Sequence, residues 1–285
     1  MAPSSAPAEE AGSGTDGSGP DGAAPAQDRC EAREERRRLI REEALARGFV
    51  RSADLAAVHD VSLMTVHRDL DHLQAQGWLR KVRGGATSES SPRFHGSVTA
   101  RTEAMASTKR RLARAAAQLL TPGQTVMLDD STTCAQMTRY FVESAPLTVI
   151  TNSLPAMTGL ARQPGVQLIS LGGTYFPAYE AHMGPHTADS IREYSAGIVF
   201  MSATAITRGR LYNTSPETVQ VKRAMLRAAK CRVLVADHTK FRQEGLYALA
   251  PLTDFDFLVV DDGLGAREIR AIRERGTQVV VVARS

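Results

Sequence analysis

Seven short apolar segments in the second half of the chain alternate with segments of helical periodicity, and this alternation constrains the fold more than any other feature. The apolar segments lie at about 125–129, 147–151, 166–171, 197–201, 232–237, 255–261 and 278–282. Helical patterns lie between them at about 109–120, 132–142, 216–230 and 266–275. Such alternation predicts a largely parallel sheet covered by helices. We expect an α/β domain over residues 107–285.

The first 29 residues have a composition that disfavours folding. Residues 1–28 are rich in Ala, Pro, Ser and Gly, and they contain five acidic residues and no Lys or Arg. Such a segment buries too little apolar surface to offset the entropy of ordering. We therefore expect residues 1–29 to form a disordered tail, with no signal peptide.

Charge and cysteine content exclude several classes of protein. The whole chain has a formal charge of +4, so the part after the acidic tail is more basic and suits a polyanionic partner such as nucleic acid. The three cysteines are widely spaced and predict neither a disulfide framework nor a zinc finger. No apolar run approaches the roughly 20 residues of a membrane span. We expect a cytoplasmic protein without a membrane partner or a cofactor.

Residues 30–86 predict three short helices followed by a hairpin. In the second helix, Leu55 and Val58 are three residues apart and are expected to face inward. In the third helix, Val66, Leu70 and Leu73 have the i, i+4, i+7 spacing of a buried stripe. We expect a small helical domain here, followed by a polar linker over residues 87–106.

The second and third helices form a helix-turn-helix pattern, in which the last helix reads the major groove of DNA with its first turns. The buried stripe leaves Ser62, Met64, Thr65 and Arg68 outward, with His67 toward the flank. A threonine can contact a base edge or a thymine methyl group, and an arginine can bind guanine or phosphate. These five residues are our candidates for the DNA-reading surface.

The predicted hairpin carries Arg80, Lys81 and Arg83, followed by the turn pair Gly84-Gly85. Three cations within four residues are typical of a wing that lies along DNA phosphates. The alternative is a solvated strand edge on a small helical bundle.

A second candidate site follows the strand at 125–129. Ser131, Thr132 and Thr133 place hydroxyls at a helix start, where backbone N–H groups bind anions such as phosphate. Asp129 would bind a sugar hydroxyl or the amides of its own loop. The alternative is helix capping without a ligand.

Other strand ends supply further candidates for this site. They are Asn152, Gly173 and Lys240, together with Lys222 near the start of a helix. Ligands of open α/β sheets collect beyond the carboxyl ends of the strands, where the first three would lie. Lys240 offers a charge for phosphate, although it also fits a surface salt bridge.

Metal binding and covalent catalysis have little support. His182 and His186 have helical spacing, but Pro185 between them breaks the helix that a metal-binding face needs. Ser131 and Cys134 lack an identifiable base partner. We predict no metal site and no catalytic residues.

Both halves of the chain resemble the DeoR family of bacterial transcriptional regulators. The N-terminal resemblance rests on Val61-Ser62, on Thr65 through Leu70, on Leu73 and Gly77, and on Arg83-Gly84-Gly85-Ala86. The C-terminal resemblance rests on five segments, which in chain order are Leu128 through Thr133, Val149 through Leu154, Leu171-Gly172-Gly173, Glu217 with Lys222-Arg223, and Ala236-Asp237 with Lys240-Phe241. The sequence departs from the family pattern at His67, where the family carries Arg, and at Ser131, where it carries Gly.

The resemblance implies a multidomain regulator. Its N-terminal domain would be an all-α winged helix-turn-helix, and its C-terminal α/β domain would be similar to ribose-5-phosphate isomerase. We predict a repressor that binds operator DNA and is controlled by a phosphorylated sugar or a related metabolite. Two-fold operators favour a homo-oligomer, at least a dimer. The rival hypothesis is a sugar-phosphate isomerase or deaminase with an N-terminal helical domain.

Overall fold

The N-terminal part of the chain folds into three helices and a three-stranded antiparallel sheet, in a computed structural model that describes residues 26–75, 78–87 and 98–284. Its elements, in chain order, are α1 (Ala26–Arg47), β1 (Phe49–Arg51), α2 (Ser52–Val58), α3 (Leu63–Ala75), β2 (Arg80–Val82) and β3 (Gly85–Thr87). The strands lie in the order β1-β3-β2. The hairpin was expected from the sequence, and β1 extends it, so the domain is not purely helical.

The C-terminal part alternates helices and strands as expected. Its α-helices are α4 (Val98–Glu103), α5 (Ala106–Ala117), α6 (Leu154–Leu160), α7 (Pro185–Ile191), α8 (Pro216–Ala228) and α9 (Ala266–Glu274), and 3-10 helices lie at Cys134–Ser144, His238–Arg242 and Leu252–Asp254. Its strands are β4 (Thr125–Leu128), β5 (Leu147–Thr151), β6 (Val166–Ser170), β7 (Thr174–Phe176), β8 (Ala181–Met183), β9 (Ala196–Met201), β10 (Ala205–Thr207), β11 (Arg210–Asn213), β12 (Ala229–Ala236), β13 (Tyr247–Pro251), β14 (Phe257–Asp261) and β15 (Gln278–Val282).

The seven predicted strands form one parallel sheet in the order β15-β14-β12-β9-β4-β5-β6. From β4 the chain first builds outward through β5 and β6, and it then returns to β9 and builds in the other direction. The strand order therefore reverses between β4 and β9. In open α/β sheets, ligands bind beyond the carboxyl ends of the strands at such a switch point.

Apolar side chains cover both faces of this sheet. One core lies under α5, α6 and the helix Cys134–Ser144, and includes the buried residues Leu112 and Phe141. The opposite core lies under α7 and α8, and includes Ile191 and Met225. A third core joins the three N-terminal helices through the stripe predicted from the sequence. The five inner strands of the sheet are largely buried on both faces, which explains their nearly continuous apolar sequences, whereas the edge strands β6 and β15 are partly exposed.

Several elements differ from the sequence-based expectation. The ribbon of β7 and β8 and the small antiparallel sheet of β10, β11 and β13 were not predicted. Val58 was predicted to face inward, but it is 71% exposed. The helix α1 begins at Ala26, inside the segment expected to be a disordered tail, and residues 1–25 lie outside the described residues.

The predicted linker 87–106 contains α4, which contacts both domains. Ala100 packs against the core of the N-terminal domain, and Glu103 lies 3.9 Å from Arg41 of α1. On the sensor side, the backbone carbonyl of Arg101 accepts a hydrogen bond from Lys109 of α5. Residues 88–97 of this linker lie outside the described residues. The described part of the linker is therefore built into the packing of both halves.

Candidate functional site

The N-terminal turns of α3 are capped and exposed. The Ser62 hydroxyl oxygen accepts a hydrogen bond from the backbone N–H of Thr65 at 3.1 Å, which confirms the predicted cap. Met64 is 61% exposed, and His67 and Arg68 are also exposed. The structure therefore leaves Ser62 and three of the predicted reading residues of α3 exposed, and Thr65 partly buried.

The inward face of α3 is fixed by packing and by charge. Val66, Leu70 and Leu73 are buried, as predicted. The buried carboxylate of Asp69 accepts hydrogen bonds from Arg36 at 2.7 Å and from Arg37 at 2.8 Å, both on α1. Sequence reasoning missed this clamp, because nothing in the spacing indicates which basic residues of α1 approach α3. The clamp sets the orientation of α3 against the rest of the domain.

The hairpin of β2 and β3 presents cations on the same domain. Its turn consists of Arg83 and Gly84, and Gly84 has φ of +82°, a conformation that favours glycine. Arg80 and Arg83 are exposed. Lys81 instead forms an ion pair with Asp71 of α3 at 2.6 Å. Two of the three predicted wing cations are thus presented to solvent, and the third is held against α3.

In the C-terminal domain, the loop after β4 lies at the switch point of the sheet and is organised by Asp129. This carboxylate is fully buried and accepts hydrogen bonds from the backbone N–H groups of Ser131 at 3.0 Å and Ser202 at 2.8 Å. It therefore bridges the ends of β4 and β9. Of the two roles considered for Asp129, the structure shows binding to the loop's own amides, because the side chain has no exposed surface for a sugar hydroxyl.

Lys222 pairs with Asp129 instead of standing open to a ligand. Its ammonium group also donates to the carbonyl of Ser202 at 3.0 Å and lies 3.5 Å from Asp130. Burial lowers the pKa of Lys222, but the two carboxylates outweigh this and hold it above its ordinary value. Effector contact by Lys222 stays a prediction, and in this structure its ammonium group is buried and paired with Asp129.

The three hydroxyls of the loop have different environments. Ser131 Oγ accepts a hydrogen bond from the backbone N–H of Cys134 at 3.0 Å, and it is not among the residues with positive φ. A serine therefore fits where the family pattern has glycine. Thr132 Oγ1 lies 3.1 Å from Lys109 Nζ, and Thr133 is buried at the start of the helix Cys134–Ser144.

A cavity of about 620 Å³ opens beside this loop. Its lining includes Ser131 and Thr132 of this loop, Val98 and Thr102 of α4, and Tyr175 of β7. This size and position suit a small polar ligand. The pocket therefore combines the switch-point loop with the helix that joins the two domains.

Two further predicted residues border the same edge of the sheet without lining this cavity. Asn152 is buried, and its Nδ2 donates to the carbonyl of His182 at 2.9 Å, while its Oδ1 has no hydrogen-bond partner. Gly173 has φ of +136°, and a Cβ at this position would lie 2.1 Å from Thr187 Oγ1. The geometry explains why residue 173 is glycine, and it leaves ligand contact by either residue as a prediction.

Lys240 lies in a group of cations that sequence reasoning did not assemble. Burial lowers its pKa, and nearby Arg101 lowers it further, against the opposing effect of Asp237. The pKa of Lys109 is lowered for the same reasons. Burial has the largest effect, and the charges of Lys240 and Arg101 add to it, so that the pKa falls to about 7. Arg101 lies on α4 and Lys109 on α5, so only the fold reveals that they meet.

The described residues offer little for metal chemistry or membrane insertion. Among them, no group of three or more His, Cys, Asp and Glu side chains is placed to hold a metal ion. His182 lies in β8 and His186 in α7, with Pro185 at the start of that helix, so the pair does not share one helical face. Within the described ranges, no helix is long and apolar enough to cross a bilayer.

Comparison with known proteins identifies both halves. A family model described as the DeoR C terminal sensor domain matches residues 104–262, and one described as the DeoR-like helix-turn-helix domain matches residues 36–92. The chain belongs to the DeoR family. As a member of this family it is a DNA-binding transcriptional regulator with a sensor domain, and the rival hypothesis of an enzyme is not supported.

Relatives of this DeoR-family chain match it along most of their length. The putative aga operon transcriptional repressor of Escherichia coli O157:H7 is 28% identical, over 95% of this chain and 99% of the relative. The uncharacterized HTH-type transcriptional regulator YgbI of Escherichia coli strain K12 is 30% identical, over 87% and 97%. Among solved structures, ribose-5-phosphate isomerase A from Methanocaldococcus jannaschii aligns over 48% of this chain and 55% of that one, with 19% identity and a TM-score of 0.36.

Proposed function

We propose that this regulator is a repressor that binds operator DNA through α3 and the hairpin of β2 and β3. One observation carries the proposal: the capped, exposed start of α3 sits on a scaffold that α4 joins to a switch-point pocket. The proposed DNA contacts are Ser62, Met64, Thr65, His67, Arg68, Arg80, Lys81 and Arg83. The name of the aga operon relative supports repression as the direction of control.

We propose further that a phosphorylated sugar or related metabolite binds at the carboxyl edge of the parallel sheet and releases the protein from DNA. Ser131, Thr132, Thr133 and Lys240 would contact its phosphate, and Asn152 and Gly173 would border its sugar. Asp129 and Lys222 would hold the loop in shape. A ligand shifts the protein between two states only by binding one of them more tightly, so this effector must prefer the DNA-free arrangement.

The proposal includes the organisation of the chain. The DNA-binding domain would span residues 30–86, the linker 87–106 and the sensor domain 107–285, with a tail over 1–29. Since two-fold operators match two-fold proteins, we propose a homodimer or a higher oligomer acting on DNA in the cytoplasm.

The test has two stages with the full chain. Selection from a random DNA pool should yield a two-fold site, and a fluorescent duplex of that site should bind with a steep salt dependence. A panel of sugar phosphates, each paired with its unphosphorylated sugar, should contain a phosphate ester that releases the duplex while its sugar does not. A selected pool without a shared sequence would contradict the DNA-binding role. Release by the unphosphorylated sugars alone would contradict the effector class.

A further inference from the structure

Arg41 of α1 lies between the tryptophan of the DNA-binding domain and the helix α4. Its guanidinium carbon is 4.1 Å from the centre of the Trp78 ring, which is a cation–π contact. Its Nη1 lies 3.9 Å from Oε2 of Glu103, near the end of α4. Its Nε is buried and has no hydrogen-bond partner among the described residues. The aromatic ring therefore fixes this guanidinium group, whose donors are only partly used.

Trp78 joins the reading helix to the hairpin of β2 and β3. Its backbone N–H donates to the carbonyl of Leu73 in the last turn of α3 at 2.9 Å, and Arg80 begins β2 two residues later. Each strand of the hairpin has three residues, and a two-stranded hairpin is at best marginally stable on its own. The position of the hairpin therefore depends on the residues that anchor its base, and the buried Trp78 is one of them.

The helix α4 makes a charged contact with each domain. Arg101 lies over the Tyr179 ring of the sensor domain, 5.6 Å from its centre, and donates to the carbonyl of Ala178 at 3.3 Å. Glu103 is two positions further along, which is about 200° around a helix. It faces Arg41 of the DNA-binding domain instead. A displacement of α4 on the sensor domain therefore moves the carboxylate that faces Arg41.

The two contacts of Arg41 differ in strength. A charge-assisted hydrogen bond between a guanidinium group and a carboxylate is about 2.7–2.9 Å long, so the 3.9 Å separation from Glu103 is an open ion pair. The Glu103 side chain is 56% exposed, and an ion pair this open to solvent contributes little. The contact with Trp78 is stronger, because the ring is only 9% exposed. Glu103 can thus approach or leave Arg41 at little cost while Arg41 stays on the ring.

We propose that Arg41 is a positioning residue for DNA binding, which holds Trp78 at the base of the hairpin and is itself adjusted by Glu103 of α4. This rests on the proposed function, because the hairpin matters only if it contacts DNA. It adds a residue that lies outside the proposed DNA contacts and acts through another side chain. Since Asp69 fixes α3 to α1 through two other arginines, a change at α4 acts on the hairpin more than on α3.

The first measurement is binding of the full chain to a fluorescent duplex of the site selected from random DNA. Arg41→Met should weaken binding about three- to tenfold, and Arg41→Lys should recover most of the loss because it keeps a cation over the ring. Glu103→Gln should weaken binding only about twofold, since its contact is open to solvent. The control is Arg47→Met, which breaks an exposed ion pair with Glu43 on the same helix and should leave the affinity unchanged.

A double-mutant cycle shows whether the effect passes through the hairpin. Arg83 lies in the hairpin turn, and Arg83→Ala removes one proposed phosphate contact. If Arg41 positions the hairpin, this contact is already impaired in Arg41→Met, so the two losses should not multiply. The double variant should bind within about twofold of the weaker single variant. Losses that multiply would show that the two residues act independently and would overturn the proposal.

Trp78 fluorescence gives a readout that a loss of stability alone does not change. Trp78 is the single tryptophan of the chain, and Arg41 covers its ring. Acrylamide should therefore quench folded Arg41→Met more strongly than the parent, and Arg41→Lys should resemble the parent. Urea unfolding of each variant establishes that it is folded. If Arg41→Met does not fold, the cycle of Glu103→Gln with Arg83→Ala decides in its place, by the same criterion.

Failure of this inference differs from failure of the proposed function. Equal operator affinity in the parent and Arg41→Met would overturn the role of Arg41 and leave the DNA-binding function standing. Equal quenching of the two proteins would show that Arg41 does not hold the ring, and it would overturn the proposal as well. A parent chain that selects no shared DNA site would contradict the proposed function, and this inference with it.

Discussion

Two buried aspartates organise the two halves of this protein in different ways. Asp69 is clamped by two arginines of α1, which remain partly open to solvent, and it fixes α3 from behind. Asp129 is enclosed together with Lys222, and it also accepts two backbone N–H groups from the loops at the switch point. In the first domain the ion pairs support the surface that we propose reads DNA. In the second the ion pair shapes the loop that we propose binds the effector.

This difference shows how the two sites achieve rigidity. A reading helix needs only to be held by one face, because its other face must remain exposed to reach the major groove. An anion loop must keep its backbone N–H groups in place before the ligand arrives, and a buried ion pair with further hydrogen bonds does so. Mutating the two clamps should therefore lower the free energy of unfolding by different amounts, and in different domains.

The largest effect is expected at the buried clamp. Lys222→Met leaves Asp129 charged without its cation and should lower the free energy of unfolding of the sensor domain by about 3–5 kcal/mol. Urea unfolding of the full chain, followed by far-ultraviolet circular dichroism, measures this. The matched control is Arg192→Met, which breaks an exposed ion pair with Asp189 and should cost less than about 1 kcal/mol. Similar losses in the two variants would show that burial does not determine the cost of breaking these ion pairs.

A smaller loss is expected at the clamp of the reading helix. Asp69→Asn retains the shape but removes the charge opposite Arg36 and Arg37, so it should destabilise the DNA-binding domain by about 1.5–3 kcal/mol. Trp78 is the single tryptophan of the chain and is buried in this domain, so its fluorescence reports this unfolding step alone. Asp71→Asn, on the exposed side of α3, is the control. A sensor domain destabilised as much as the DNA-binding domain would show that the two halves unfold as one unit.

The exposed face of α3 should affect binding and not stability. Arg68→Ala is expected to weaken specific DNA binding by about 1–3 kcal/mol if the side chain contacts a base, with the unfolding midpoint unchanged. Fluorescence anisotropy on specific and random duplexes separates the two roles of an arginine, since equal losses on both would indicate a phosphate contact. Arg47→Ala, at the exposed end of α1, removes the same charge as a control.

The smallest effects are expected in the hairpin. Arg83→Ala should reduce the slope of log affinity against log salt by about 0.9, the value for one phosphate contact. Lys81→Ala should change the slope less, because Asp71 already neutralises this ammonium group. A larger change for Lys81 than for Arg83 would mean that the ion pair opens when DNA binds.

The sequence predicted those parts of the fold whose signal is local and repeated. The parallel strands are nearly continuous apolar runs that recur between helical segments, and the stripe of α3 has three members at helical spacing. The strands β7, β8, β10 and β11 have three or four residues each, too few to establish alternation. Val58 lies at the last position of a seven-residue helix, where two apolar residues do not define a face.

In the candidate sites, too, the residues with a local sequence signal were predicted and the others were not. The exposed residues of α3 follow from the position of its buried stripe, and Asp129 follows from its place after a strand. The sequence does not show which residue pairs with a buried charge. Lys222 is 93 residues from Asp129 in sequence, and it looks like any other lysine near a helix start. Arg101 and Lys109 were overlooked for a related reason: each is an ordinary basic residue until the fold brings it against Lys240.

The helix α4 sets a limit on how this regulator can be recombined with its relatives. Its Ala100 packs against one domain's core while Val98 and Thr102 line the cavity of the other domain, so no cut on either side of it separates two intact modules. A hybrid joined before residue 98 would pack a foreign helix against Arg41, and one joined after residue 103 would place a foreign α4 beside the cavity of the sensor domain. Functional exchange of sensors within the family should therefore require that α4 and the surface of α1 be exchanged together.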